Sequence, residues 1–378
     1  MIERLRIIVG LAIAIGASCS CGAAELRGAW VSAWGPGYLT AGQIDATIAA
    51  ARKAGINALF IQVRKNADAY YDSEIEARAS DIAADFDPLA YAVSTGHAQG
   101  MQVHAWVNAF RVWTSKKPPA DPKHIVNLHP EWINVDSKGN TRASEGTYLD
   151  PGVPAAREHI AKIVLDIANR YNVDGIQWDY IRYPSGEWGY SDAALARYYA
   201  DTGATTKPAA KDPKWLAWKR DQVTALVKTA SEQVRAIKPK LLITASTIAW
   251  GGCPAEFAGT EAYAVVCQDW KLWAEKGYID ANLPMCYKTE RSTRSAQSFR
   301  NWLVGFGKWA GGKPVYVGID VTQNDDAGVL AEIEAVRKAG LGGYVLFDFN
   351  QSQRRGSLVD AMAGAAKPSP EPAAGTGS

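Results

Sequence analysis

Eight short runs rich in Val, Ile, Leu, Phe and Trp recur along the chain, at 26–34, 56–64, 101–110, 173–183, 241–250, 281–287, 314–321 and 342–349. Between them apolar residues return every three or four positions instead, which is the spacing of one helix face. The clearest such segment follows Gly152, with Pro154 suited to a first helical turn and Ile160, Ile163, Val164, Ile167 and Tyr171 aligned as one stripe. Gly55, Gly100, Gly277 and Gly340 each stand between a stripe and the next run, where a helix ends best on a residue that tolerates left-handed backbone. Strand-like runs alternating with helical stripes predict a parallel α/β sheet. Eight repeats predict closure into a single (β/α)8 TIM barrel rather than an open doubly wound sheet. No glycine-rich phosphate loop opens the first helix, which argues against nucleotide binding.

In such a barrel the chemistry sits on loops that follow the strands, and the long connections fall there: 111–152 after the third strand, 184–214 after the fourth and 251–268 after the fifth. Their Trp and Tyr content predicts the walls of a cleft. In the fourth run a period of two puts Ile176, Trp178 and Tyr180 on one face and Gly175, Gln177 and Asp179 on the other. Asp179 therefore ends a buried strand on the interior face, a place suited to an active-site acid. The competing reading is a carboxylate that caps the next turn or pairs with Arg182.

On the third run His104, Trp106 and Asn108 alternate with Val103, Ala105 and Val107, so the first set should face inward. Asn108, near the mouth, suits a hydrogen bond to a substrate hydroxyl or amide, and His104, deeper, suits a core hydrogen-bond network. Gln62 and Arg64 follow the same pattern on the second run. Arg64 is placed to hold a hydroxyl or to orient Asp179, a task equally open to Arg182. Tyr287 ends the sixth run as a stacking or hydrogen-bonding wall. The residues read as substrate-binding are thus Arg64, His104, Trp106, Asn108, Gln177, Arg182 and Tyr287, with Asp320 and Asp348 at the ends of the seventh and eighth strands.

Of 378 residues, 47% are hydrophobic and 21% charged, enough to bury the core of one barrel. Lys and Arg number 41 against 39 Asp and Glu, a balance that points away from nucleic acid as a partner. Many of the 14 Trp and 16 Tyr will be core residues, but such a number also suits stacking on sugar faces. Arg4 and Arg6 precede an apolar run at 7–15, the layout of an export signal over 1–24. Ala17, Ser18 and Cys19 resemble a lipoprotein cleavage site, which would place a lipid anchor on Cys19 in the outer membrane. Gly16 stands where such sites carry Leu, and Gly22 and Ala24 would suit ordinary cleavage into the periplasm. The barrel is expected over 25–366. The Pro, Gly and Ala of 367–378 read as a disordered tail. His97, His104, His124, His129 and His159 show no paired spacing, so neither a metal nor another cofactor is expected. No G-x-S-x-G turn occurs.

Several long motifs carry a resemblance: VDGIQWDYIRYP (173–184), HAWVNAF (104–110), FDPLAYAVSTGHAQGMQVHAW (86–106), LDPGVPAAREHI (149–160) and WAEKGYIDANLPMCY (273–287). In this order they resemble glycosyl-hydrolase-like family 10 of bacterial envelope proteins. The resemblance implies a (β/α)8 barrel and glycosidase chemistry, in a family with a branch associated with peptidoglycan glycan. Met285 departs from it, standing where the family pattern carries a polar residue.

Glycosidic cleavage needs a carboxyl that protonates the leaving oxygen and a second group acting as nucleophile, base or cation stabiliser. Asp179 is the first choice, as nucleophile or as acid. The fifth strand ends on Thr244, Ser246 and Thr247 with no Glu, so the second choice is Asp269, where the family also has an acidic position. Its competing role is the N-cap of the helix that holds Trp273. Asp320, Asp348, Glu187 and Glu290 are the alternatives. The expected activity is hydrolysis of an envelope polysaccharide, foremost peptidoglycan glycan, strands denuded of peptide included. A non-catalytic glycan-binding barrel, an exopolysaccharide hydrolase and a polysaccharide deacetylase remain as other readings. Cys253 and Cys267, in one loop of an exported chain, are expected to form a disulfide.

Overall fold

A computed structural model describes residues 25–350 and 356–365, so the expected export signal with Cys19 and the expected tail lie outside the described residues. The barrel is built from β1 (Leu26–Val31), β2 (Ala58–Arg64) and β3 (Gln102–Asn108). A ribbon of β4 (Arg111–Trp113) and β5 (Thr147–Tyr148) then intervenes. The barrel continues with β6 (Gly175–Asp179), β7 (Leu242–Ile248), β8 (Ala281–Met285), β9 (Tyr316–Asp320) and β10 (Gly343–Phe347). Its eight strands close in the order β1-β10-β9-β8-β7-β6-β3-β2, and all their pairings are parallel. Each of the eight apolar runs holds one strand.

Strand alternation divides the apolar residues into two cores. Leu26, Trp30, Phe60, Trp106, Leu283 and Val345 fill the interior, while Val31, Val103, Val107, Ile176 and Trp178 face the surrounding helices. Gly175 is required inside, because a Cβ there would come within 2.2 Å of His104 Nδ1. Gly55, Gly100, Gly277 and Gly340 all follow helices with φ between 68° and 72°, as the sequence predicts. The helix Pro154–Arg170 carries the expected buried stripe. Tyr171 lies just beyond it in extended backbone, where its hydroxyl donates to Asp87.

One irregularity changes the reading of β2. Its register against β3 shifts between Gln62, paired with Trp106, and Arg64, paired with Val107. Two residues there oppose one, so Arg64 leaves the interior face that Gln62 occupies.

The long loops form structure of their own rather than only cleft walls. In the connection after β6, Tyr190, Tyr198, Trp215 and Trp218 make a separate buried cluster, with the two indoles stacked 5.1 Å apart. The disulfide expectation is also corrected, since Cys253, Cys267 and Cys286 are free thiols. Cys253 packs against Gly305 of the helix Thr293–Trp309, whereas Cys267 is fully buried beside Lys219 and Arg220. The loop draws the two cysteines to different neighbours.

Candidate active site

A cleft of about 310 Å3 opens where the strands end at their C-terminal side. Trp30, Gln62, Trp106, Ser246 and Met285 form its base, and Asp179 ends β6 within it. The backbone turns at once after Asp179, because Tyr180 takes a left-handed φ of 47°, unusual for a residue with a Cβ. In that turn the Tyr180 N–H donates to Asp179 Oδ1 at 2.7 Å, and Trp106 Nε1 donates to Oδ2 at 3.0 Å. Burial pushes the Asp179 carboxyl above the usual carboxylate range, against these two donors and the nearby Arg111 and Arg182 guanidinium groups. Asp179 forms no salt bridge among the described residues.

A second carboxylate reaches the same cleft from the ribbon. Glu145 accepts from Arg182 Nη2 at 3.2 and 3.1 Å and from the Tyr148 hydroxyl at 2.8 Å. Gly146 makes this approach feasible, since a Cβ there would lie 2.2 Å from the Trp113 carbonyl oxygen. Sequence reasoning missed Glu145. The signal it left was a Glu-Gly pair ahead of Thr147–Tyr148, hidden in a loop with no periodicity. Arg111 and Lys288 also line the cleft unanticipated, as do Trp34 and Trp250. The two tryptophans, 51% and 38% exposed, follow β1 and β7, strands on opposite sides of the eight-membered ring.

Of the expected site residues, the structure brings Asp179, Trp106, Arg182 and Tyr287 into the cleft. Tyr287 stacks on Phe347 with ring centroids 5.2 Å apart. The others lie elsewhere, His104 in the core network that its depth suggests. Arg64 is turned away by the bulge and held by Glu76. His104 lies two strand positions deeper, stacked on Phe60 at 4.5 Å, and burial lowers its pKa to about 4, which keeps the ring neutral. Asn108 is covered, accepting from Gln62 and donating to the Lys65 carbonyl. Gln177 lies beneath the base, accepting from Trp30 Nε1 and donating to Ser246.

Asp320 and Asp348 are also outside the lining. Asp320 accepts from the backbone and hydroxyl of Thr322, and Asp348 accepts from the Ser32 hydroxyl at 2.9 Å. Asp269 is an N-cap, accepting from Leu272 N at 3.2 Å at the start of the helix Trp270–Glu275, outside the cleft. Glu187 meets Ser137, and Glu290 is paired with Arg300. Among the described residues no group of three or more His, Cys, Asp or Glu is arranged to hold a metal ion.

Comparison with known proteins agrees with this architecture. Glycosyl hydrolase DigH of Escherichia coli K12 is 27% identical over 259 residues, covering 62% of this chain and 55% of that protein. Glycosyl hydrolase YngK of Bacillus subtilis is 26% identical over 254 residues, covering 62% and 47%. The chain thus spans about half the length of these relatives. Among solved structures, the PgaB (BpsB) glycoside hydrolase domain of Bordetella bronchiseptica superposes with a TM-score of 0.68 at 16% identity, covering 90% of this chain and 99% of that one. At that identity the likeness is one of fold. The glycosyl hydrolase-like 10 profile matches residues 25–320, and the chain belongs to that family.

Proposed function

We propose that this barrel hydrolyses glycosidic bonds of a bacterial envelope polysaccharide, with peptidoglycan glycan strands as the substrate. The observation that carries the reading is a pair of carboxylates in different surroundings within one aromatic-walled cleft. Asp179 is enclosed, has no salt bridge among the described residues and holds its proton above the ordinary carboxylate range. Glu145 is tied to Arg182 and open to the cleft. Two carboxyl groups set apart in this way divide naturally into acid and partner. In this proposal Asp179 gives its proton to the leaving oxygen, and Glu145 assists attack at the anomeric carbon or stabilises the charge that develops there. Trp34 and Trp250 offer apolar faces on which sugar rings stack. An envelope location belongs to the same proposal and rests on Arg4 and Arg6 ahead of the apolar run at 7–15, with Cys19 as the lipid attachment point.

The test is purified protein acting on isolated glycan strands stripped of peptide, with new reducing ends and released acetate both measured. New reducing ends that disappear in Asp179→Asn, with at least about a hundredfold loss of rate, are expected. Acetate release without chain cleavage would identify a deacetylase, and binding without either product would identify a non-catalytic barrel.

A further inference from the structure

We infer that Arg111 is an anion anchor, and that the glycan taken by this cleft carries a carboxylate on the sugar bound beside Asp179. The inference rests on the cleft being a glycan site, as proposed above.

Arg111 begins the ribbon and is only 8% exposed, yet it faces the cleft. Its guanidinium carbon lies 3.7 Å from the centroid of the Tyr180 ring and 5.8 Å from that of Trp34, so two aromatic faces fix its plane. Nη1 donates to the Tyr180 hydroxyl. Nε is buried and has no acceptor among the described residues. Among the described residues no carboxylate is ion-paired with Arg111, whereas neighbouring Arg182, on the same Tyr180 ring at 4.8 Å, has Glu145. A buried guanidinium that is stacked, oriented and short of acceptors is costly to maintain, and its fork geometry matches a carboxylate.

The charge of the whole cleft points the same way. Arg111, Arg182 and Lys288 line it against the two carboxylates Asp179 and Glu145. Lys288 Nζ donates to the carbonyls of Ala249 and Gly251, each at 3.0 Å, and is likewise without a carboxylate among the described residues. When Asp179 carries the proton it is to donate, three cations face one carboxylate. A neutral glycan leaves that imbalance buried beneath it, and a carboxylate on the sugar removes it. A lactyl ether on the ring supplies such a group, and so does a uronic acid.

Binding is measured by calorimetry on the full chain carrying Asp179→Asn, so that turnover plays no part. The ligands are oligosaccharides of equal length. One bears free lactyl carboxylates, one is the same chain with those carboxyls reduced to alcohols, one is built on uronic acid, and one is a neutral N-acetylglucosamine oligomer. A carboxylated chain should bind about tenfold or more tightly than its neutral counterparts, the scale of one charge-assisted pair. Adding Arg111→Gln should erase that preference, lowering the affinity for the carboxylated chain about tenfold more than that for the reduced chain. Which carboxylated chain loses affinity identifies the source of the carboxylate. An equal loss for reduced and carboxylated chains would show that Arg111 only props Tyr180 and would overturn the inference. Equal affinity of the parent for carboxylated and neutral chains would overturn it too, with the glycan site intact. Binding of none of the four would instead remove the glycan reading and the inference with it. The unfolding midpoint of Arg111→Gln reports separately on the fold.

Discussion

Arg64 with Glu76 and Arg182 with Glu145 are two pairings of the same side chains near the mouth of one barrel, and they have different surroundings. In the first, both guanidinium–carboxylate bonds are 2.7 Å, the side chains are 0% and 5% exposed, and His159 adds a contact to the carboxylate at 3.1 Å. The remaining Arg64 nitrogen donates to the carbonyls of Asn108 and Ala109. Burial alone would push the Glu76 carboxyl up, but Arg64 and His159 outweigh it and hold the pKa at about 2. In the second pair the bonds are longer, Arg182 Nε has no partner among the described residues, and Glu145 is 35% exposed beside the cleft. A saturated, enclosed pair ties β2 to β3 and has no capacity left for a ligand. An open one keeps acceptor and donor positions for a sugar.

The sharpest way to break this contrast is Glu76→Gln, which leaves Arg64 charged and enclosed. It should cost about 3–5 kcal/mol in denaturant unfolding. Because the folded pKa of Glu76 is depressed, its stabilisation is present above the ordinary value of 4.5 and is lost as pH falls from there through about 2. Glu145→Gln should do the reverse. A rate loss of at least about a hundredfold is expected with a stability change under about 1 kcal/mol, and a large stability loss with unchanged kinetics would move Glu145 into the scaffold.

If Asp179 is the acid, kcat/KM falls as pH rises through its pKa, at a point displaced above the ordinary 3.8. A limb at or below that value would instead make Asp179 the ionised partner. Glu332, on the helix Asp326–Lys338, extends the contrast to a buried glutamate with no salt bridge among the described residues, whose carboxyl burial pushes up to about 8. Its contribution to stability is complete below the unfolded value of 4.5 and is lost as pH rises through about 8. Glu332→Gln should therefore flatten the pH dependence of the unfolding midpoint across that window. The smallest effect concerns the cysteines. A reducing agent should shift the midpoint by less than about 1 °C, whereas a disulfide closing that loop would have added about 3 kcal/mol.

The amino-acid sequence by itself determined the eight strands, the glycines that end the helices and the face on which Asp179, Trp106 and Gln177 lie. Each depends on periodicity or backbone preference within a few residues, and such signals survive without knowledge of the rest of the chain. The positions of Arg64, Glu145 and Asp269 were decided by tertiary structure. One extra residue in β2 reversed the direction of Arg64, and nothing in the alternation of FIQVRK marks a bulge. Glu145 reaches the cleft because a loop without periodicity folds into a ribbon beside β6, and Asp269 lost its place because the first turn of the next helix captured its carboxylate. Trp34 and Trp250 became facing walls only when the sheet closed and set β1 opposite β7. Local patterning selects elements and faces, but a site made by loops that meet across a barrel depends on closure, which brings together residues far apart along the chain.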